Sequence, residues 1–189
     1  MRLLVTVLAA FVLAGCAKPG EQGNKVEAAA EEGPVKGVDR SHRGERFPDV
    51  RFLQDDGDGK GEMSYEPFLG VPTLINFWAS WCAPCVKELP TLKALNESRK
   101  FDGWVVPLNQ DSGPQQSVSA FMTKIGVAEL GNYQDPTMAV TGALGVQVMP
   151  TTILYDANGK EVWRYVGDLD WTSAEAARLL AEGGAGRKG

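Results

Sequence analysis

Two cysteines separated by two residues, Cys82 and Cys85, constrain this chain more than any other feature. The segment before them, Val71 to Trp78, is apolar enough to form a buried strand, and the segment after them, Val86 to Leu95, places leucines on one face of a helix. The pair therefore lies on a strand-to-helix turn. Because a helix N-terminus offers unpaired N–H groups and partial positive charge, it stabilises a thiolate. The pattern predicts that Cys82 is a nucleophile, exposed at the helix tip, and that the more buried Cys85 closes a disulfide with it.

A zinc site and an inert buried pair are the alternatives to a redox-active dithiol. A structural zinc ion takes four ligands, usually Cys and His. The third cysteine is Cys16, near the N-terminus, and the only histidine is His42, in a predicted linker. The predicted folded part offers no further ligand of this type, which favours redox chemistry without a metal or cofactor.

The first residues have the pattern of a bacterial export signal. Arg2 supplies positive charge, and Leu3 to Ala14 form an apolar segment shorter than the roughly 20 residues that span a membrane. The following Leu-Ala-Gly-Cys resembles a lipobox, which implies cleavage before Cys16 and lipid attachment there. The alternative is a plain secretory peptide that leaves a free thiol. We expect a chain that faces the periplasm and is lipid-anchored to the membrane.

Export and composition narrow the function further. Disulfides persist outside the cytoplasm, but one closely spaced pair does little to constrain an unfolded chain, so it indicates chemistry. The formal net charge is −5, without a basic stripe, which argues against nucleic-acid binding.

Composition predicts four regions. They are a lipoprotein signal peptide at 1–15, a lipid-anchored flexible tether at 16–46, one domain at 47–181 and a disordered tail at 182–189.

Within the domain, strands alternate with helices and end in a hairpin, which predicts an α/β fold with a mixed sheet flanked by helices. The predicted strands are 49–53, 72–78, 104–109, 151–155 and 162–166, and the predicted helices are 83–100 (kinked at Pro90), 115–125, 136–144 and 173–180.

The segment from Asn76 to Cys85, the Glu88-Leu89-Pro90 that follows, and the segment from Gly145 to Thr152 resemble the thioredoxin fold. More narrowly, they resemble the TlpA-like family of membrane-tethered periplasmic thiol-disulfide oxidoreductases, which includes the ResA-like and CcmG-like proteins of cytochrome c maturation. The resemblance covers nearly all of residues 47–181. It implies an extra strand-helix insertion within about 105–140.

The resemblance also implies a substrate-binding surface. It implies that Pro150 is cis, faces the dithiol and presents the backbone of Met149 for β-like pairing with a substrate segment. An ordinary trans proline that starts a strand is the alternative. Trp81 is expected to line the surface around Cys82, and Pro84 to shape the turn.

Glu88 is the third predicted catalytic residue. It lies three residues after Cys85 and can share its helix face. The TlpA-like pattern places a functional glutamate here, which could take the proton of the second thiol. The alternative is a solvated surface glutamate. Asn76 replaces an aspartate found in many thioredoxins, and Trp104, Trp163 and Trp171 are interpreted as core or rim aromatics.

The direction of electron flow follows from the dipeptide Ala83-Pro84, which contains no cation to stabilise the reduced thiolate. This favours a reductase of protein disulfides. The resemblance implies apocytochrome c as the substrate, with oxidase copper-site cysteines or mispaired disulfides in general as the alternatives. Because no NADPH site is visible, we expect a membrane thiol-disulfide transporter to supply the electrons. A disulfide oxidase or isomerase and a copper metallochaperone are the alternatives. A peroxiredoxin-like peroxidase fails, because Ile75 and Ala79 stand where its motif has Pro and Thr.

Overall fold

The computed structural model describes residues 35–55 and 61–184. The predicted signal peptide, Cys16, most of the predicted tether and residues 185–189 lie outside the described residues. None of the helices in the described ranges is long and apolar enough to cross a bilayer.

Strands and helices alternate through most of the described chain. The strands are β1 (Gly37–Asp39), β2 (Phe52–Gln54), β3 (Gly61–Met63), β4 (Thr73–Trp78), β5 (Trp104–Asn109), β6 (Tyr133–Gln134), β7 (Thr151–Tyr155) and β8 (Glu161–Val166). The helices are α1 (Ala83–Ser98), α2 (Gln115–Lys124), α3 (Ala139–Ala143) and α4 (Ala174–Ala181), and short 3-10 turns occupy Glu66–Phe68 and Ala128–Leu130.

In the described residues all eight strands form one mixed sheet, in the order β1-β8-β7-β4-β5-β6-β2-β3. The strands β4, β5 and β6 are parallel, and the remaining neighbours are antiparallel. The predicted α/β class with a mixed sheet is confirmed. Helix α2 and strand β6 supply the helix and strand expected within 105–140.

Alternation along β4 divides the core between the two faces of the sheet, because successive strand side chains point to opposite sides. Leu74 and Trp78 pack with leucines of α1 and α4. Ile75 and Phe77 pack in a second cluster that includes aromatic residues around β2 and the 3-10 turn at Glu66–Phe68. Asn76 lies on the same face as Leu74 and Trp78, which is the face covered by α1.

Two predicted helices are shorter than expected. Helix α3 begins at Ala139 instead of 136, because the Asp135 carboxylate accepts the N–H of Ala139 at 2.8 Å and Met138 adopts a left-handed conformation with φ 57°. Helix α1 ends at Ser98, where Arg99 is also left-handed. Pro90 lies inside α1.

The domain begins earlier than predicted, which corrects the tether boundary at residue 46. Strand β1 pairs with β8, and the Lys36 ammonium lies 2.7 Å from the Asp168 carboxylate. The Arg40 guanidinium lies 2.5 Å from Glu182, a residue assigned to the disordered tail from composition. The sequence concealed this, because β1 is held by backbone pairing and ion pairs and not by large apolar side chains.

Strand β8 contains a buried ion pair, and its arginine also binds the end of α3. The Arg164 guanidinium donates from Nε and Nη2 to the two carboxylate oxygens of Glu161, each at 2.8 Å. Its Nη1 donates to the carbonyl of Leu144 at 2.9 Å. Both charged side chains are almost completely removed from solvent. Removing either side chain would leave the other charge buried and uncompensated, which strongly destabilises a fold.

We expect Arg164→Met to lower the free energy of unfolding by about 3–5 kcal/mol, because it leaves the Glu161 carboxylate buried without its cation. The double variant Glu161→Met/Arg164→Met should lose less, since no charge is left buried. Urea denaturation followed by circular dichroism measures both. A double variant less stable than the single one would contradict this account of the pair.

Candidate active site

The two cysteines form a disulfide at the N-terminus of α1, with an S–S distance of 2.03 Å. After β4 ends, the Cys82 N–H donates to the carbonyl of Ala79 at 3.1 Å and closes a turn. Cys82 is then the N-cap residue of α1, and its Sγ accepts the N–H of Cys85 at 3.4 Å. The predicted strand-to-helix turn is confirmed, and the sulfur of Cys82 lies where helix N–H groups can stabilise negative charge.

The exposure of the pair differs from the prediction. Cys85 is fully buried, as expected, but Cys82 is only 6% exposed instead of standing open at the helix tip. As an N-cap, Cys82 directs its sulfur back over the first turn of α1, towards the N–H of Cys85. Trp81, the residue before Cys82, faces solvent at 68% exposure.

Trp81 borders a cleft of about 330 Å³ between the dithiol turn and the start of α2. The Asp111 carboxylate supports this turn by accepting the N–H of Ser80 at 3.2 Å. Asp111 is not among the site residues predicted from the sequence. The signal was its position two residues after the end of β5, since the carboxyl ends of the parallel strands β4 and β5 meet at one edge of the sheet.

The pairing of β7 with β4 brings Pro150 close to the dithiol turn. Its peptide bond with Met149 is cis, the isomer that the resemblance implied. Residue Thr151, which follows, pairs with Phe77 of β4, so Pro150 lies next to the end of β4 from which the turn departs. Met149 is half-buried and packs against the cluster that contains both cysteines. Pro84 is exposed in the first turn of α1.

Glu88 is buried, with 3% of its surface exposed, which rules out the solvated surface glutamate. Its carboxylate accepts the indole N–H of Trp171 and the backbone N–H of Leu169. The Asn76 amide donates to the other oxygen at a longer 3.4 Å, and also to Thr152 Oγ1 at 2.9 Å. Cys85 and Glu88 are both buried and lie one turn apart on α1.

Burial raises the pKa of Glu88 from 4.5 to about 7, because the ionised carboxylate loses its hydration. The hydrogen bonds from Trp171, Leu169 and Asn76 lower the pKa, and the nearby Asp168 carboxylate raises it further. The group is thus divided between its acid and base forms near neutral pH. A carboxylate with this property can take up and release a proton.

Trp171 was missed as a site residue. The sequence predicts a core or rim aromatic, and the structure shows that its indole also contacts Glu88, 83 positions earlier in the chain. No local pattern could show this contact, because it joins α1 to the connection between β8 and α4. Trp163 is a buried core residue, as interpreted, and Trp104 is half exposed at the start of β5.

His42, predicted to be in a linker, lies in the segment that packs against the domain. Its Nδ1 is 3.0 Å from the carboxylate of Glu45. Residues 35–55 and 61–184 contain no group of three or more His, Cys, Asp and Glu side chains arranged to hold a metal ion.

Comparison with known proteins relates the chain to thiol-disulfide oxidoreductases. The thiol-disulfide oxidoreductase ResA of Bacillus thuringiensis is 30% identical over 118 residues, which cover 62% of this chain and 66% of that protein, just under two thirds of its length. The thiol:disulfide interchange protein DsbE of Vibrio cholerae is 30% identical over 145 residues, which cover 74% of this chain and 76% of that protein.

A crystal structure of a candidate thiol:disulfide interchange protein DsbE from Chlorobium tepidum is also similar. It is 28% identical, with a TM-score of 0.64 over 74% of this chain and 96% of that one. This similarity shows a thioredoxin-like fold. A family model described as Redoxin matches residues 42–180, a range that includes the cysteine pair, Glu88 and Pro150. The chain therefore belongs to the Redoxin family and is a relative of the ResA and DsbE thiol-disulfide oxidoreductases.

Proposed function

We propose that this protein is a thiol-disulfide oxidoreductase that reduces protein disulfides with the Cys82–Cys85 dithiol. The observation that carries the proposal is the cysteine pair at the N-cap of α1, one turn from a buried carboxylate that titrates near neutral pH. The named relatives support the reaction class.

In the first step, the Cys82 thiolate attacks one sulfur of a substrate disulfide. A mixed disulfide forms between Cys82 and the substrate, and the other substrate sulfur leaves as a thiolate that takes a proton from water. The helix N-terminus favours the attacking thiolate, because the Cys85 N–H already points at the sulfur of Cys82.

In the second step, Glu88 takes the proton of the Cys85 thiol. The Cys85 thiolate then attacks the sulfur of Cys82, and the second substrate sulfur leaves and is protonated. Two electrons have passed to the substrate, and the enzyme holds the disulfide seen in the structure. Glu88 suits this task because its base form is well populated at neutral pH without being fully ionised.

The substrate segment would lie across Trp81, Pro84 and the Met149–Pro150 bond. The backbone of Met149 would pair with it as a short strand, which selects an extended segment around the disulfide. Trp81 and Val148, which precede Cys82 and Met149 in the chain, supply exposed apolar surface for this segment.

The environment of the reaction is the bacterial cell envelope. Cleavage before Cys16 and lipidation there would hold the domain at the periplasmic face of a membrane. A membrane thiol-disulfide transporter would return the disulfide to the dithiol, and apocytochrome c is the proposed substrate class. The reducing direction rests on Ala83-Pro84, which places no cation beside the Cys82 thiolate.

We expect the reduction potential of the Cys82–Cys85 pair to lie below roughly −230 mV, because little besides the helix N-terminus stabilises the reduced form. Equilibration of the purified protein with dithiothreitol or glutathione buffers, followed by thiol trapping, measures it. A potential above about −180 mV would make the protein an oxidant or isomerase and overturn the proposed direction.

We expect Glu88→Gln to slow the resolving step about tenfold to a hundredfold at pH 7–8, since glutamine cannot accept the proton. In the unsubstituted protein the rate should rise with pH through about 7, as the carboxyl ionises, and the variant should lack this rise. Stopped-flow measurement with a mixed disulfide at Cys82 reports the step.

Glu97→Gln is the matched control, because it makes the same chemical change on the exposed face of the same helix. It should leave the rate unchanged. If Glu88→Gln has unchanged rates from pH 6 to 9, Glu88 is not the proton acceptor.

We expect Cys16→Ser to move the protein from the membrane fraction to the soluble fraction of the cell envelope, because serine cannot form the thioether to lipid. Cell fractionation and labelling with a fatty-acid probe measure this, and Cys85→Ser is the control that should remain at the membrane. Membrane retention of Cys16→Ser without the label would contradict the lipid anchor.

A further inference from the structure

Residues 167–171, in the connection between β8 and α4, meet the dithiol site at several points. The N–H of Gly167 donates to the carbonyl of Pro150 at 2.8 Å. The backbone N–H of Leu169 and the indole N–H of Trp171 both donate to the Glu88 carboxylate. One short segment thus contacts both the cis proline and the buried acid.

Trp171 has little freedom within this segment, since only 1% of its surface is exposed. Its ring stacks on Trp163 at a centroid distance of 6.4 Å and an interplanar angle of 11°. Its backbone N–H donates to Thr91 Oγ1 at 3.1 Å, and that hydroxyl donates to the carbonyl of Glu88 at 2.8 Å. The stacking on Trp163 and the hydrogen bond to Thr91 together hold the indole N–H in place against α1.

We propose that Trp171 is a positioning residue of the exchange reaction, whose indole N–H fixes the Glu88 carboxylate and favours its ionised form one turn from Cys85. The inference rests on the role proposed above for Glu88. Trp171 itself transfers no proton, because an indole N–H only donates hydrogen bonds.

The chemistry of the donors explains why Trp171 has this role. The Asn76 amide is 3.4 Å from the carboxylate and is shared with Thr152, so its hold on Glu88 is weak. The indole N–H of Trp171, by contrast, donates to the Glu88 carboxylate and to no other acceptor among the described residues. A donor that cannot become an acceptor stabilises the carboxylate over the carboxylic acid, and so opposes the effect of burial on the pKa.

Other charged and titratable groups face Glu88 from the neighbouring elements. Asp168 raises the pKa of Glu88, and Lys36, which pairs with Asp168 at 2.7 Å, also interacts with Glu88. Tyr165 of β8 interacts with Glu88 as well. None of these groups is altered by a substitution at Trp171, so the effect of the indole N–H can be measured separately.

The test is Trp171→Phe, which keeps an aromatic ring against Trp163 and removes the donor. Because the lost hydrogen bond favours the charged form of the carboxyl, the titration of Glu88 should move upward by about one to two pH units. Carbon-13 NMR of labelled glutamate side chains measures this in the oxidised protein, with Glu88→Gln to assign the signal.

Trp163→Phe is the matched control, because it also removes a buried indole N–H, the one that donates to the Leu179 carbonyl at 2.9 Å. It should cost comparable stability and leave the Glu88 titration in place. If Trp171→Phe shifts the titration no more than Trp163→Phe, or lowers its midpoint, the proposal is wrong. If Trp171→Phe does not fold, benzothienylalanine at position 171 replaces the N–H by sulfur with nearly the same shape.

Kinetics separate this inference from the proposed function. The pH midpoint of the resolving step should move upward with the NMR titration, and Trp171→Phe should have no further effect in a Glu88→Gln background. A shifted titration with an unchanged rate profile would support the positioning of Glu88 by Trp171 and reject Glu88 as the proton acceptor.

Discussion

The site depends on one carboxylate that is buried without a salt bridge to any residue that the structure describes. Removing Glu88 from water disfavours its charge, and three hydrogen-bond donors partly restore it, which leaves the pKa at about 7. A salt bridge would have kept the group ionised, and a fully apolar pocket would have kept it protonated. The balance between burial and donors is what makes the group suitable for proton exchange with a thiol.

That balance requires elements that are distant in the chain. Helix α1 carries Cys85 and Glu88 on one buried face, β4 contributes Asn76 from the same side of the sheet, and the 167–171 segment adds its donors from beyond β8. The mixed sheet permits this arrangement because β7 runs antiparallel beside β4. The antiparallel strand brings Pro150 to the edge at which the dithiol turn begins.

Much of the fold follows from local patterns. The apolar segment before Cys82, the leucines after it and the hairpin turn near Gly159 identify β4, α1 and the β7–β8 pair. Local apolar patterns did not predict the segment that is bound to the domain by backbone hydrogen bonds and ion pairs. Strand β1 has few apolar side chains, yet it pairs with β8 and is fixed by the ion pairs of Lys36 and Arg40.

The sequence by itself determined the chemistry available: two thiols at the start of a helix and a carboxylate one turn later, because both spacings are local and helical geometry translates them directly. Only the tertiary structure decided the state of those groups. The near burial of Cys82 and the contact of Trp171 with Glu88 arise from residues that meet through packing. Burial and long-range hydrogen bonds set the pKa of a buried group, and neither can be deduced from the spacing of residues along the chain.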